Sequence, residues 1–512
     1  MAMQEKINEL TAIKSRIELA DGQTAIDKQH SLNKLTARER IAKLFDENSF
    51  VEIDTFVQAR AVDFNMQERR EYGDGVVVGY GTIDGRPVYA SAQDFTFIVG
   101  AVGEMNANKI VKAMDMAVKS GVPYVSLIDT NGARLQEGID ALAGYSKILY
   151  KHVQASGVIP QITAIMGACP GASSYSPPIS DFVFMTEQTA TLNIIGSQVI
   201  SAVTGENVTQ QELGGAEIHS KKSGIAHFIS KNDETCINDI RNLISYLPDN
   251  NLTNAPSYEC SDNLNRLADD LNDDMPENYD VKNIIQTVFD NSSMLEISKD
   301  YAPNMVTSFV RLNGSTIGVI ANQPAFLDGK LNGTAYIKAA RFIRFCDSFS
   351  IPIVTFTNSK GIVIDREEEQ CGISSKASKL IYAFAEATVP KVNVITGKAI
   401  GGVYVAMNNK QLGADIVFAW PNAEISVMEA DSAATILYRD DIAAADDPVA
   451  KRKEKSTEYK DKYANPYIAA AKGYVDDIIE PGSTRVRLAS AILMLSSKRT
   501  GKISKKHGNI CL

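Results

Sequence analysis

The sequence predicts an α/β protein built from two domains of one architecture, on three observations. Apolar strand-like runs alternate with helical stretches, as in strands joined by crossover helices. The chain's 512 residues suit two domains of roughly 250 residues better than one core. The third observation is that the chain is written twice. Val122-Pro123-Tyr124-Val125-Ser126-Leu127-Ile128-Asp129 returns 229 residues later as Ile351-Pro352-Ile353-Val354-Thr355-Phe356-Thr357-Asn358. Val158-Ile159-Pro160-Gln161-Ile162 returns as Thr388-Val389-Pro390-Lys391-Val392, and Gly167-Ala168-Cys169-Pro170-Gly171-Ala172 as Gly397-Lys398-Ala399-Ile400-Gly401-Gly402, both 230 residues on. Asp181-Phe182-Val183-Phe184 is echoed by Asp415-Ile416-Val417-Phe418 at 234, and the Asp84-Gly85 turn by Asn313-Gly314 at 229. Five echoes in one order at nearly one offset place the two copies within 1–260 and 261–512.

Each element has a local reason. Residues 4–45 read as largely helical, and Thr36 with Glu39 has the spacing of a capping box that starts a helix. Extended structure begins at Phe50-Val51-Glu52-Ile53. The apolar runs Val76–Ile83 and Pro87–Ala90 around Asp84-Gly85 form a hairpin signature. Gly73-Asp74-Gly75 precedes that hairpin and not a helix, which argues against a dinucleotide-binding fingerprint. Helical stretches follow at Gly103–Ser120 and Gly138–Ala155. The Asn/Asp-rich run from Asp249 to Asp274 reads as a linker or surface excursion. The second copy opens near Asp280, turns at Asn313-Gly314 and runs to Glu480. Arg439 to Lys462 reads as a solvated helical face with a loop at Asp446-Asp447-Pro448.

Composition excludes several function classes. A net charge of −10 argues against nonspecific nucleic-acid binding, which needs basic surface. No uninterrupted apolar run reaches the roughly 18 residues of a membrane span. The start, Met1-Ala2-Met3-Gln4-Glu5-Lys6, lacks the apolar segment of a secretory signal. The six cysteines, Cys169, Cys236, Cys260, Cys346, Cys371 and Cys511, are scattered with no Cys-x-x-Cys pair. They read as reduced thiols of a cytoplasmic protein with no metal site.

The candidate chemistry lies in the paired turns Gly171-Ala172 and Gly401-Gly402-Val403. Each follows an apolar strand and precedes a helical stretch, where adjacent N–H groups suit a developing oxyanion. A glycine required only by turn geometry is the plainer reading of either turn alone; its recurrence in both copies favours a site. Side-chain chemistry is thin. His30, His152, His219, His227 and His507 show no metal spacing. Ser173 and Ser174 lack the Gly-x-Ser-x-Gly of a hydrolase elbow. Glu367-Glu368-Glu369 reads as an exposed charged turn. Lys338, Arg341 and Arg344 share a helical stripe, either a solvated face or a contact for ligand phosphates. A site of backbone donors without a protein acid or base fits chemistry on a thioester, with a cofactor carrying the proton.

Further motifs resemble the biotin-dependent acyl-CoA carboxyltransferases. They include Thr36-Ala37-Arg38-Glu39-Arg40-Ile41, Ala92-Gln93-Asp94-Phe95-Thr96, Gly132-Ala133-Arg134-Leu135-Gln136-Glu137-Gly138, Glu212-Leu213-Gly214-Gly215-Ala216, Arg341-Phe342-Ile343-Arg344-Phe345-Cys346-Asp347 and Ala419-Trp420-Pro421-Asn422-Ala423-Glu424-Ile425. The resemblance covers nearly the whole chain in order. It implies two crotonase-like (ClpP-like) spiral domains, an acyl-CoA domain at 1–260 and a biotin domain at 261–512. It implies transfer of a carboxyl group between a short-chain acyl-CoA, of the propionyl or methylmalonyl type, and biotin on a biotin carboxyl carrier protein. Catalytic amides would be those of Gly171 and Ala172, facing the thioester, and of Gly402 and Val403, facing the biotin ureido oxygen. Cofactor contacts would fall at Gly132, Ala133, Gly372 and Gly401. Partners would be the carrier, a biotin carboxylase or a membrane decarboxylase subunit, and further copies of the chain in a dimer or trimer of dimers.

The chain departs from the family pattern at Ala172, where glycine is usual; Val405, apolar at a position that the family uses for acyl selectivity, does not name the acyl group. The chain departs most over residues 357–378, where Asn358-Ser359-Lys360-Gly361-Ile362 stands for Asp-Val-Pro-Gly-Phe. Two alternatives stay open on that account. One is a non-catalytic assembly or regulatory paralogue, and the other a biotin-independent crotonase-type enzyme.

Overall fold

The computed structural model describes residues 3–69, 71–501 and 504–510, so Met1, Ala2 and Cys511 lie outside the described residues. The chain folds as two units that divide after Asn254.

In the first unit, helices Met3–Leu19, Gln23–Ser31 and Ala37–Leu44 lead into the sheet. The third starts where the capping box predicts: the Thr36 hydroxyl accepts from Glu39 N, and the Glu39 carboxylate accepts from Thr36 N at 2.8 Å. The strands are β1 (Val51–Ile53), β2 (Val76–Ile83), β3 (Arg86–Gln93), β4 (Tyr124–Ile128), β5 (Gln161–Ile165), β6 (Ala168–Pro170), β7 (Phe182–Thr186), β8 (Thr191–Asn193) and β9 (Phe228–Ser230). The sheet order is β1-β2-β3-β4-β5-β7-β9, antiparallel through β3 and parallel beyond it, with β6 and β8 paired apart from it. The hairpin closes at Asp84 (φ 50°) and Gly85 (φ 76°), the left-handed pair that a two-residue turn between twisted strands demands. Helix Glu104–Ser120 presents Ala107, Ile110, Ala113, Met114 and Ala117 to the core at helical spacing. It stops at left-handed Gly121.

The second unit repeats the plan. Strands β10 (Leu295–Ile297), β11 (Met305–Leu312), β12 (Ser315–Asn322), β13 (Ile353–Ser359), β14 (Lys391–Ile400), β15 (Ile416–Ala419) and β17 (Asp477–Ile478) lie in that order, and β16 (Glu424–Ser426) pairs with the end of β14. Asn313 (φ 52°) and Gly314 (φ 76°) close its hairpin. A carboxylate clasps each hairpin turn. Asp46 accepts from Asp84 N and Gly85 N at 3.0 and 2.9 Å, and Asp290 accepts from Asn313 N and Gly314 N at 3.1 and 2.8 Å. An arginine backs each one: Arg241 at 2.9 Å and Arg485 at 2.7 Å.

The run from Asp249 to Asp274 is more tied down than a linker. Asp249 pairs with Arg86, Asn250 Nδ2 donates to Gly121 O, Asp262 pairs with Arg266, and Leu271 is buried in the second core. Short polar side chains anchor an irregular segment by hydrogen bonds that composition does not reveal. Arg439 to Lys462 is helical, broken where Asp447 caps Pro448–Tyr459. Among the described residues, no helix is long and apolar enough to cross a membrane.

Candidate active site

Both candidate turns lie beyond the carboxyl ends of the parallel strands, where open α/β sheets bind ligands. In the first unit β6 pairs with β8 through Pro170↔Asn193, and Gly171 follows at φ 61°. A β-carbon on Gly171 would meet nothing within 4 Å, so this glycine serves its backbone angle alone. Ala172 is not among the positive-φ residues, so alanine fits where the family carries glycine. Gly171–Tyr175 is a tight helical turn whose first N–H groups have no acceptor within the turn. The serines that follow are spent on the backbone: Ser173 Oγ donates to Pro170 O and Ser174 Oγ to Gly171 O at 2.6 Å. Neither is poised as a nucleophile.

In the second unit β14 pairs with β16 through Ile400↔Ser426, and Gly401 follows at φ 57°, ψ −126°. By register Gly401 therefore corresponds to Gly171. Its N–H donates to Ser426 O at 2.9 Å, so it is occupied. Helix Gly402–Ala406 begins with the N–H groups of Gly402 and Val403, which have no intrahelical acceptor. The candidate pair of amides in the second copy thus sits one residue later than in the first. A β-carbon on Gly402 would stand 2.8 Å from Ile362 Cδ1, so the departing segment reaches this turn. Val405 is half exposed on the same short helix.

Around the first turn, Gly132 (φ 94°) donates its N–H to Thr130 Oγ1 at 3.0 Å. A β-carbon on Gly132 would lie 3.5 Å from Pro170 O, which places this loop against the start of the Gly171 turn. Ala133 bridges Val102, and Ile362 bridges Leu331 in the matching place. The loop is locked by buried Arg134, whose guanidinium meets Asp74 Oδ1 at 2.6 Å, Glu137 Oε1 at 2.8 Å and Ala101 O at 2.9 Å. Sequence reasoning missed this clamp, because Asp74 lies 60 residues from Arg134. Gly372 is left-handed at φ 75° and starts helix Ile373–Glu386, with open space where a β-carbon would be.

The side-chain candidates resolve as structural groups. Burial pushes His152 down to about 4, against its hydrogen bond with Gln161, so it is neutral near pH 7. His227 Nδ1 accepts from Val183 N at 2.9 Å. Glu367–Glu369 lies on a short helix, Arg366–Gln370, and Glu368 accepts from Gly333 N at 2.9 Å. Lys338 is not on a solvated stripe with Arg341 and Arg344, which are exposed: it is buried, donating to Tyr301 O at 2.7 Å. Burial brings its ammonium down to about 7. Lys109 does the same work in the first unit, donating to Gly73 O and Val76 O, and burial brings it to about 8.

Known proteins resemble this chain over nearly its whole length. The carboxyl transferase domain profile matches residues 28–510. The methylmalonyl-CoA decarboxylase α subunit of Propionigenium modestum is 49% identical, over 99% of this chain and 99% of its own. The carboxyltransferase subunit of propionyl-CoA carboxylase from Haloferax mediterranei is 46% identical over the full length of both. The crystal structure of the transcarboxylase 12S hexamer, with methylmalonyl-coenzyme A and methylmalonic acid bound, superposes with a TM-score of 0.97 at 44% identity, covering 100% of this chain and 98% of that one.

Proposed function

The chain belongs to the carboxyl transferase family, and from that premise we propose how its two turns divide the work. It is a carboxyltransferase subunit of the propionyl-CoA carboxylase and methylmalonyl-CoA decarboxylase type, on the tandem crotonase-like fold. The first unit takes the acyl-CoA. The Gly171 and Ala172 amides receive the thioester oxygen and hold negative charge there as the α-carbon gains or loses its carboxyl group. The second unit takes biotin. Its ureido oxygen needs adjacent donors in a shielded place, and the Gly402 and Val403 amides beside Ile362 fit that need. Biotin, when bound on its carrier protein, would carry the mobile carboxyl group to or from the α-carbon. The chain's own contribution is to orient both partners, exclude water and place fixed dipoles without reorganisation.

The observation that carries this reading is the pair of matched turns, each opening with helix-start N–H groups beside a left-handed glycine. Among the described residues, Ser173 and Ser174 are spent on backbone carbonyls and His152 and His227 on buried hydrogen bonds, which suits a reaction whose proton is handled by the cofactor. The departing segment leaves the frame intact, since Ile362 keeps the bridge position of Ala133. Exposed apolar residues flank each turn: Ile194, Ile195 and Val203 in the first unit, Ile364, Val427 and Ile436 in the second. They support burial against further copies of the chain, in an assembly of dimers. A biotin carrier, with a biotin carboxylase or membrane decarboxylase subunit, completes the complex. The five described cysteines are free, which suits the cytoplasm.

The test is incubation with free biotin and methylmalonyl-CoA, following CO2 and propionyl-CoA. Biotin-dependent formation of both is expected. Absence of biotin-dependent turnover with any malonyl-type thioester would overturn the reading.

A further inference from the structure

The duplication supplies its own control for one corner of the second unit. At the end of β4, the buried Asp129 carboxylate meets Lys34 Nζ at 3.0 Å, Arg40 Nη1 at 3.1 Å and Gln29 Nε2 at 2.9 Å. Helix Gln23–Ser31 and the residues after it thus fill that corner with a cationic plug. Asn358 holds the same place at the end of β13: Gly167 presses against Asp129 just as Gly397 presses against Asn358. Here Asn358 Nδ2 donates to the Tyr279 hydroxyl at 3.1 Å in place of the cationic plug, and residues 273–279 form no regular element. A cavity of about 470 Å³ opens instead, lined in part by Tyr279, Asn358, Lys360, Thr396, Lys398 and Trp420. That volume is ordinary for a small-molecule site, about 300–1,000 Å³.

The wall of this corner is inverted in charge. Register pairs Asp129 with Asn358, Asn131 with Lys360 and Ala168 with Lys398. One negative charge is lost and two positive charges are gained. Among the described residues, Lys398 Nζ meets no carboxylate closer than Glu429, at 3.9 Å. Lys360 Nζ meets Glu277, a side chain 74% exposed, at 3.0 Å, and Asp328 Oδ1 at 3.3 Å. Lys460 is held by Glu424 at 2.6 Å. Exposed Asp273 and Asp274 at the rim disfavour a polyanion. At these three positions an acidic wall with a cationic plug has become a basic one with space before it.

We propose that this cavity binds a small organic carboxylate, its oxygens on Lys398 and Lys360 and its carbon skeleton against Tyr279 and Trp420. Charge-assisted bonds to partly dehydrated lysines supply the affinity. The occupant would touch the strand that leads to the second turn, since Lys398 N donates to Asn358 Oδ1 at 2.8 Å three residues before Gly401.

Trp420 is the chain's sole tryptophan, so its emission reports on the cavity. The full chain is titrated with succinate and, separately, with inorganic phosphate, against sodium chloride of matched ionic strength. Thermal unfolding is followed as a second readout. Saturable change with succinate is expected in both. Lys398→Gln and, independently, Lys360→Gln should weaken it about tenfold or more, the loss expected for a charge-assisted contact, while unfolding cooperatively without ligand. Absence of saturation in both readouts, retention of full affinity in both variants, or saturation by phosphate alone would each overturn the proposal.

Discussion

Gly401 stands at φ 57°, ψ −126°, and a β-carbon there would lie 2.9 Å from Val427 O. Gly401→Ala therefore carries backbone strain of about 1–3 kcal/mol together with a clash. Gly171 sits at φ 61° with open space around its Cα, so Gly171→Ala costs only the left-handed conformation, about 1 kcal/mol. Thermal unfolding should rank them in that order; equal shifts would contradict the reading of the two turns. The buried lysines give a pH test. Lys338 titrates at about 7 when folded, below the ordinary lysine value. Between those two values the unfolded chain binds the extra proton, so stability rises with pH across this window and is lowest below about pH 7. Lys338→Met should flatten that rise, as read from denaturant unfolding at pH 6.5 and 9.5. An unchanged slope would show that Lys338 is not the group responsible. In the sequence Lys338 looked like part of a charged face. What buries it is a loop 36–37 residues away, whose carbonyls its ammonium joins, and helical spacing carries no record of that loop.

At the scale of elements, the hairpins were legible because turn chemistry is local. Asp84-Gly85 and Asn313-Gly314 announce left-handed pairs, and Thr36 with Glu39 announces a helix start. The clasps behind the hairpins were not legible, since Asp46 reaches a turn 38 residues on and Arg241 reaches Asp46 from 195 away. Asp46→Ala should destabilise the chain by about 2 kcal/mol, from lost bonds to a charged group and an unpaired arginine. Burial pushes the Asp46 carboxyl up, but the Gly85 N–H, the Arg241 guanidinium, the Thr82 hydroxyl and the Asp84 N–H together outweigh it and hold Asp46 well below the usual carboxylate range. Its contribution is present at neutral pH and fades as pH falls through that depressed value. Equal unfolding free energies for wild type and Asp46→Ala at pH 7 would remove the clasp from the account. The candidate turns were likewise visible as glycines after strands. The one-residue stagger between their donor pairs came with the family resemblance and not from the turns themselves, because it depends on Ser426 O taking the Gly401 N–H.

At the scale of the whole molecule, the repeat at an offset near 229 disclosed two copies, and the structure gives each its own core and sheet. The offset could not show where the copies diverge in use. Asp129 with its cationic plug and Asn358 with its cavity occupy one position of the fold yet differ in charge and packing. Family membership fixes the type of activity, and the division of labour between the turns is the claim that rests on geometry. It is tested most directly by steady-state decarboxylation of methylmalonyl-CoA with free biotin, in wild type, Gly171→Ala and Gly401→Ala. The account predicts that Gly401→Ala lowers kcat/KM for biotin by about tenfold or more while the KM for methylmalonyl-CoA stays within about twofold, with the converse in Gly171→Ala. Equal losses toward both substrates in both variants would contradict it.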